Sequence, residues 1–309
     1  LTKLEGPVNS PKALQFQAAA TPQKVVVHAP KVGPRVVLDG GSIDFSPDSI
    51  EVKGVKVSAL DAALEIGGRT HNYQDGVDNL NATASGTVGH EALTWIFARA
   101  GLPEGLRLRD ALTLSGVNAD WSKSGRAAAR GSVRVTGGPV IGFAANRNSQ
   151  RVEIENVSVR DEASDASFGG SVEDTRFEAR FKGRLAGTSI EHVFVRAPVA
   201  FGAVEGDFQS SGDWTKPGHG KATGTLTGSN IRMPVDLPEP VMLERFSLEA
   251  KGSVVSIKSA QFASGETRVD VSGSIDGSRE KFLVDADVRG DTVVILVPPA
   301  KDAPKSDAA

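Results

Sequence analysis

A few residue spacings in this chain could support chemistry, and each has a plainer account. Gly218-His219-Gly220 followed by Gly224 resembles a phosphate-cradling turn. The dinucleotide fingerprint needs two residues before its last glycine, however, and here there are three, with no strand–helix–strand pattern around them. His90-Glu91 opens like a zinc-protease helix, but Thr94 stands where the second histidine would have to be. Asp285 and Asp287 could serve as paired acids, yet alternate positions on a strand put both on its solvated face. Arg289-Gly290-Asp291 spells a cell-adhesion tripeptide and reads equally well as a strand entering a turn. Trp121 and Trp214 could stack on sugars, but their matched places in the repeat described below favour structural anchors. No Gly-x-Ser-x-Gly elbow has a supporting Asp and His.

The composition agrees with these exclusions. Among 309 residues there is no Cys, which removes disulfides, thiolate nucleophiles and thiolate metal sites together. Five scattered histidines, His28, His71, His90, His192 and His219, offer no metal set. Lys+Arg number 35 against 38 Asp+Glu, a net charge of −3, so no nucleic-acid partner is expected. No cofactor, metal or catalytic residue is implied and the chain is not expected to be an enzyme. A polysaccharide hydrolase with a carboxylate pair is the remote alternative. No apolar run reaches the roughly 18 residues of a membrane helix.

Period-two alternation dominates the local pattern. Arg176-Phe177-Glu178-Ala179-Arg180-Phe181-Lys182 puts apolar side chains on one face and charges on the other, as a half-buried antiparallel strand requires. Segments 42–45, 151–155, 245–251, 267–272 and 284–289 read the same way, and roughly eighteen strands are expected overall. Turn signals lie at Asp39-Gly40-Gly41, Gly67-Gly68, Gly137-Gly138-Pro139, Gly169-Gly170, Lys216-Pro217-Gly218 and Asp276-Gly277. Helical signal is confined to His90–Ala100, stopped by Gly101 and Pro103, and a short stretch over 188–195.

The chain also repeats itself. Asp120-Trp121 recurs as Asp213-Trp214, a shift of 93 (214 − 121). The strand at Ile50 recurs at Val152 and Val255, shifts of 102 (152 − 50) and 103 (255 − 152). A strand running into a glycine follows each copy: Leu80–Gly86, Phe177–Gly183 and Leu283–Gly290. The period of about 100 residues divides the chain into a tail or linker over 1–23, a partial repeat over 24–105 ending in a helix, repeats over 106–198 and 199–297, and a disordered tail over 298–309. The natural protein is expected to continue upstream.

So many strands with so little helix must cover their own apolar faces, as a sandwich, a barrel or a long curled trough. A quasi-one-dimensional repeat favours the extended form. The expected fold is all-β: one long antiparallel curled sheet, a β-groove, built from repeats of about 100 residues with one or two short helices. An open trough of this kind suits acyl chains. The expected lining is Ile50, Val52, Val152, Ile154, Phe177, Phe181, Phe246, Leu248, Val269, Val271, Val284 and Val288.

Gly224–Ile275, with its Leu237-Pro238-Glu239 break and Val269-Asp270-Val271-Ser272-Gly273 strand, resembles the AsmA-like proteins of Gram-negative envelopes. The stretches 102–121 and 152–170 are similar to the same family. The resemblance implies a periplasmic protein tethered to the inner membrane by an N-terminal helix that this chain lacks. It would carry phospholipid or another acyl-chain lipid between inner and outer membranes, with inner- and outer-membrane proteins as possible partners. Two departures stand out: the missing anchor, and a repeat shorter than a fully elaborated groove unit. A second class fits the same residues, namely a repetitive structural or adhesive module of a surface protein, built of closed sandwiches without lipid.

Overall fold

The computed structural model describes residues 3–5, 15–28, 33–74, 76–101, 107–195, 201–216, 220–233, 235, 239–278 and 283–292. Short strands come first: β1 (Lys3–Glu5), β2 (Gln15–Ala20), β3 (Val25–Val27), β4 (Val36–Asp39) and β5 (Ser42–Phe45). The first long meander is β6 (Ser49–Ala59), β7 (Ala62–His71) and β8 (Asn79–Val88), then helix α1 (His90–Ala100), then β9 (Leu112–Ser122), β10 (Ala127–Val135) and β11 (Val140–Arg147). The next is β12 (Arg151–Arg160), β13 (Asp165–Glu173), β14 (Arg176–Ala186), helix α2 (Gly187–Val193), β15 (Ala203–Asp213), β16 (Lys221–Arg232) and β17 (Met242–Gly252). Strands β18 (Val254–Ser264), β19 (Thr267–Asp276) and β20 (Leu283–Thr292) begin a third.

From β6 to β20 every strand pairs antiparallel with its neighbour in sequence, so the architecture is the single all-β antiparallel sheet that the alternation required. Among the described residues nothing pairs β20 with the first strands, so the sheet is neither a barrel nor a closed sandwich. At about 4.8 Å per strand it runs for roughly 80 Å. The chain exposes 20270 Å², against about 12,000 Å² for a compact protein of 32.3 kDa.

Several local expectations change. Residues 1–23 are not simply a tail, since β2 pairs with β5 and β1 with β2. Asp39-Gly40-Gly41 is not a hairpin turn. Strands β4 and β5 both lie along β6 and act as two halves of one strand, broken where Gly40 and Gly41 adopt φ of 65° and 66°. Gly67-Gly68 and Gly169-Gly170 are not turns either but sit inside β7 and β13. The tail over 298–309 and the repeat borders at 105/106 and 198/199 lie outside the described residues.

The repeat appears in the sheet as a six-strand period. The three copies of the Ile50 element are β6, β12 and β18, and each carries a bulge at the same point: between Val52 and Val55, Ile154 and Val157, and Ile257 and Ala260. A bulge adds a residue to one strand and bends it. The residue facing each bulge is a glycine: Gly68, Gly170 and Gly273. A Cβ there would run into a carbonyl of the next strand, that of Asn81, Glu178 and Asp285 respectively. Only glycine lets the backbones approach this closely where the sheet bends.

Helix α1 has the limits its pattern indicated, ending at Gly101 in the left-handed region with φ of 64°. Its N-terminus is capped from outside: Asp61, in the β6–β7 turn, accepts hydrogen bonds from the amides of Glu91 and Ala92, both at 2.9 Å. Helix α2 stops at Val193, earlier than the 188–195 reading, because Phe194 is extended. Its first turn is held by a buried contact of 2.6 Å between the Ser164 and Ser189 hydroxyls, and Ser164 also accepts the Ala186 amide at 2.9 Å. No helix of the described residues is long and apolar enough to cross a membrane.

Candidate functional site

The register places one residue of each strand in line across the sheet, and on one face these lines are apolar from end to end. One row takes Val55, Ile66, Ala84, Val117, Gly131, Phe143, Val157, Phe168, Phe181, Phe208, Gly224, Ala250, Val255, Ile275 and Val284, from β6 to β20. The row beside it runs from Val25 and Leu38 through Val57, Leu64, Gly86, Leu114, Val133, Ile141, Val159 and Ala166 to Gly183, Gly206, Leu226, Leu248, Ile257, Gly273 and Ala286. On the other flank is a row of mostly small residues, including Gly68, Ala82, Ala119, Ala129, Ala145, Gly170, Ala179 and Ala222. Ser210 is the sole polar side chain of these three rows.

Aromatic rings fill the gaps that glycines leave in this face. A Cβ on Gly212 would meet the Phe177 ring at 2.8 Å, and one on Gly131 would meet Phe143 at 3.3 Å. Phe246 lies against Gly228 in the same way. Phe168 and Phe181 pack at 5.2 Å between centroids with their planes tilted by 50°. Such pairs hold the floor smooth without a second layer.

The opposite face is charged and pairs within itself: Lys53 with Asp44 at 3.0 Å, Lys182 with Asp207 at 3.1 Å, Arg184 with Glu205 at 3.2 Å and Lys258 with Glu249 at 2.9 Å. Exposed pairs like these add little stability, and they mark this side as the wet one. The neighbouring carboxylates raise the Lys53 ammonium above its ordinary value, and Lys258 lowers the Glu249 carboxyl.

The apolar face has one wall. Val88, Leu112 and Val135, at one end of their strands, are buried with Ala92 and Leu93 of α1 and Val193 of α2. The segments after the two helices close on each other, as the Arg109 amide donates to the Val193 carbonyl and the Val195 amide to the Arg107 carbonyl, both at 2.9 Å. A second cluster joins Val159, Ala166 and Leu185 to Ile190 of α2. At the other end of the strands the apolar residues are open: Leu80, Trp121, Val152, Val172 and Trp214 are all exposed. Trp214, 59% exposed, stacks on Phe177 at 4.2 Å. The tryptophans of the repeat therefore stand exposed at the lip, Trp214 anchored there on Phe177. The aspartates beside them tie the strand ends together: Asp120 accepts from Asn81 at 2.6 Å, and Asp213 accepts from Thr175 at 2.9 Å. Thr215 above all, with Thr175, holds the Asp213 carboxyl below its ordinary value.

All twelve residues expected to line a groove share this face. Ile50, Val152 and Phe177 lie along the lip, Val52 and Ile154 in the row of small residues, and Phe181, Leu248 and Val284 in the two central rows. Phe246, Val271 and Val288 form the row on the helix side, with Val269 beyond it. Of the twelve, only Phe246 is buried. Leu64, Phe143, Phe168, Phe208 and Ile275 share the face and were not singled out, although the same alternation runs through their strands. Among the described residues no three His, Cys, Asp or Glu gather into a metal set. Compared with family models, curated proteins and solved structures, the chain finds no match in any of the three.

Proposed function

We propose that the apolar face is a trough for lipid acyl chains, and that the protein carries phospholipid or another acyl-chain lipid along it. The observation that carries this reading is the pair of unbroken apolar rows crossing the strands, walled at one end by α1 and α2 and open at the other. Burial of apolar surface stabilises by about 25 cal/mol per Å². A sheet of this length with no second layer among the described residues therefore leaves a large favourable term for an apolar ligand to supply. The hydrocarbon depth of one leaflet is about 15 Å, half of the roughly 30 Å core, so an 80 Å trough spans several chains end to end. Transport is passive: chains slide between equivalent apolar rows while headgroups stay in water at the lip, and no covalent step is involved.

The resemblance of 224–275, 102–121 and 152–170 to AsmA-like proteins supports the same reading. It adds the periplasm as the site of action, a tether to the inner membrane, and traffic between the two membranes with inner- and outer-membrane proteins as partners. The test is mass spectrometry of an organic extract of the purified protein. Lipid at a stoichiometry of one or more per chain supports the proposal. Lipid-free protein that also fails to take up lipid from vesicles sinks it, and leaves a repetitive structural module as the better account.

A further inference from the structure

Where the strand ends of β7–β11 meet at the lip, a cavity of about 810 Å³ lies among Arg69, Arg126 and Arg147. Its apolar side is formed by Leu80, Trp121 and Ala127, which are register partners of one another. Arg147 pairs with Ala127 and so shares the trough face, whereas Arg69 pairs with Asn81 and, with Asp120 and Asn146 of the same line, belongs to the charged face, so the cavity wraps the lip mainly from the wet side. The three arginines therefore line one cavity at the strand ends although they do not share a face. Each is exposed and has no ion-pair partner among the described residues. Two neighbouring carboxylates are engaged elsewhere: Glu51, across from Arg69, is bound to Lys53 at 3.2 Å, and Asp120, in the lining, to Asn81. Three fixed cations and one carboxylate line the space.

Resting on the trough reading above, we infer that this cavity receives the phosphate of an anionic lipid headgroup whose acyl chains lie on the adjoining apolar rows. Guanidinium groups suit phosphate because their forked donors match its oxygens. The volume falls in the range of ligand sites, about 300–1,000 Å³. Trp121 and Leu80 then cover the first carbons of the chains, so the site reads charge and apolar surface together. A free phosphate would use only the first of these.

The experiment compares three probes by calorimetry: a short-chain phosphatidylglycerol below its micelle concentration, the phosphatidylcholine of the same chain length, and inorganic phosphate. The intact chain is expected to bind the anionic lipid at least tenfold tighter than the zwitterionic one, with the difference shrinking as salt is raised. The variant carrying Arg69→Gln, Arg126→Gln and Arg147→Gln should lose that preference, its affinity for the anionic lipid falling at least tenfold and that for the zwitterionic one, whose phosphate is offset by a choline cation, falling less, with unchanged circular dichroism. Equal affinity for both lipids in the intact chain overturns the headgroup site and leaves the trough standing. Inorganic phosphate binding as tightly as the anionic lipid overturns it in favour of a free-anion site. A triple variant that keeps the preference also overturns it, and failure of both lipids to bind removes the trough as well. If the triple variant loses its fold, the single substitutions, each expected to lower the preference two- to fivefold, decide in its place.

Discussion

Phe181 offers the sharpest test of the trough. Its ring is half-buried, tilted against Phe168 and aligned with Phe208 in the central row. A phenylalanine side chain carries about 150–250 Å² of surface. With part of the ring open to the trough, roughly 120 Å² stays covered, which is about 3 kcal/mol at ~25 cal/mol per Å². Loss of the ring pair adds about 1 kcal/mol. Phe181→Ala should therefore cost about 4 kcal/mol of stability, less than the whole of an ordinary domain's 5–15 kcal/mol. Phe181→Asp should cost a similar amount in the empty protein, because its carboxylate can reach water across the open face. The two variants separate once lipid binds. An acyl chain lying over position 181 would strip water from the carboxylate, and even about 3 kcal/mol of that penalty is a loss of affinity of about a hundredfold. The measurement is lipid per chain by mass spectrometry, with urea midpoints and circular dichroism recorded for both variants. The alanine variant should keep most of its lipid and the aspartate variant almost none. Equal lipid content in folded samples of the two would refute the reasoning, since a charge in the path would then make no difference.

Two further outcomes follow from the scaffold. The amide of Ala92, and after it that of Glu91, holds the Asp61 carboxyl below its ordinary value of 3.8. The stability it lends to α1 is complete above that value and is lost as pH falls through the lower folded one. Hydrogen exchange at Glu91 and Ala92 should accelerate in that acid range in the native protein and be fast already at neutral pH in Asp61→Ala; a helix equally protected in both would refute the cap. Gly170→Ala should lower the urea midpoint by an amount equivalent to about 1–3 kcal/mol, because its Cβ meets the Glu178 carbonyl. An unchanged midpoint would show that the sheet does not depend on close approach at the bulge.

Much of the architecture was legible because a strand's period is two. Arg176–Lys182 announces its own faces, and the limits of α1 could be read from its apolar stripe and Gly101. The glycine pairs mislead for a physical reason. Gly67-Gly68 and Gly169-Gly170 look like turns to any local rule, but they answer a steric demand made by a bulge on the neighbouring strand, and that strand's identity is a matter of pairing. In the same way Asp39-Gly40-Gly41 suggests a turn, and becomes a break within one strand because both halves find the edge of β6. The tryptophans of the repeat were recognisable as equivalent, while their place at an open lip depended on where the strands end.

Alternation, repeat and charge balance thus determined by themselves that the chain makes a long antiparallel sheet with one apolar face, because side-chain direction along a strand is a local property. Whether that face is closed over or left open was decided only in three dimensions. It depends on the register that aligns Phe143, Phe168, Phe181 and Phe208 into a single row, on helices that reach one end of the strands and not the other, and on the lack, among the described residues, of any pairing between the first strands and the last. The approach of Arg69, Arg126 and Arg147 to one lip has the same origin, since residues 78 positions apart in sequence (147 − 69) meet only through the hydrogen bonds of the intervening strands.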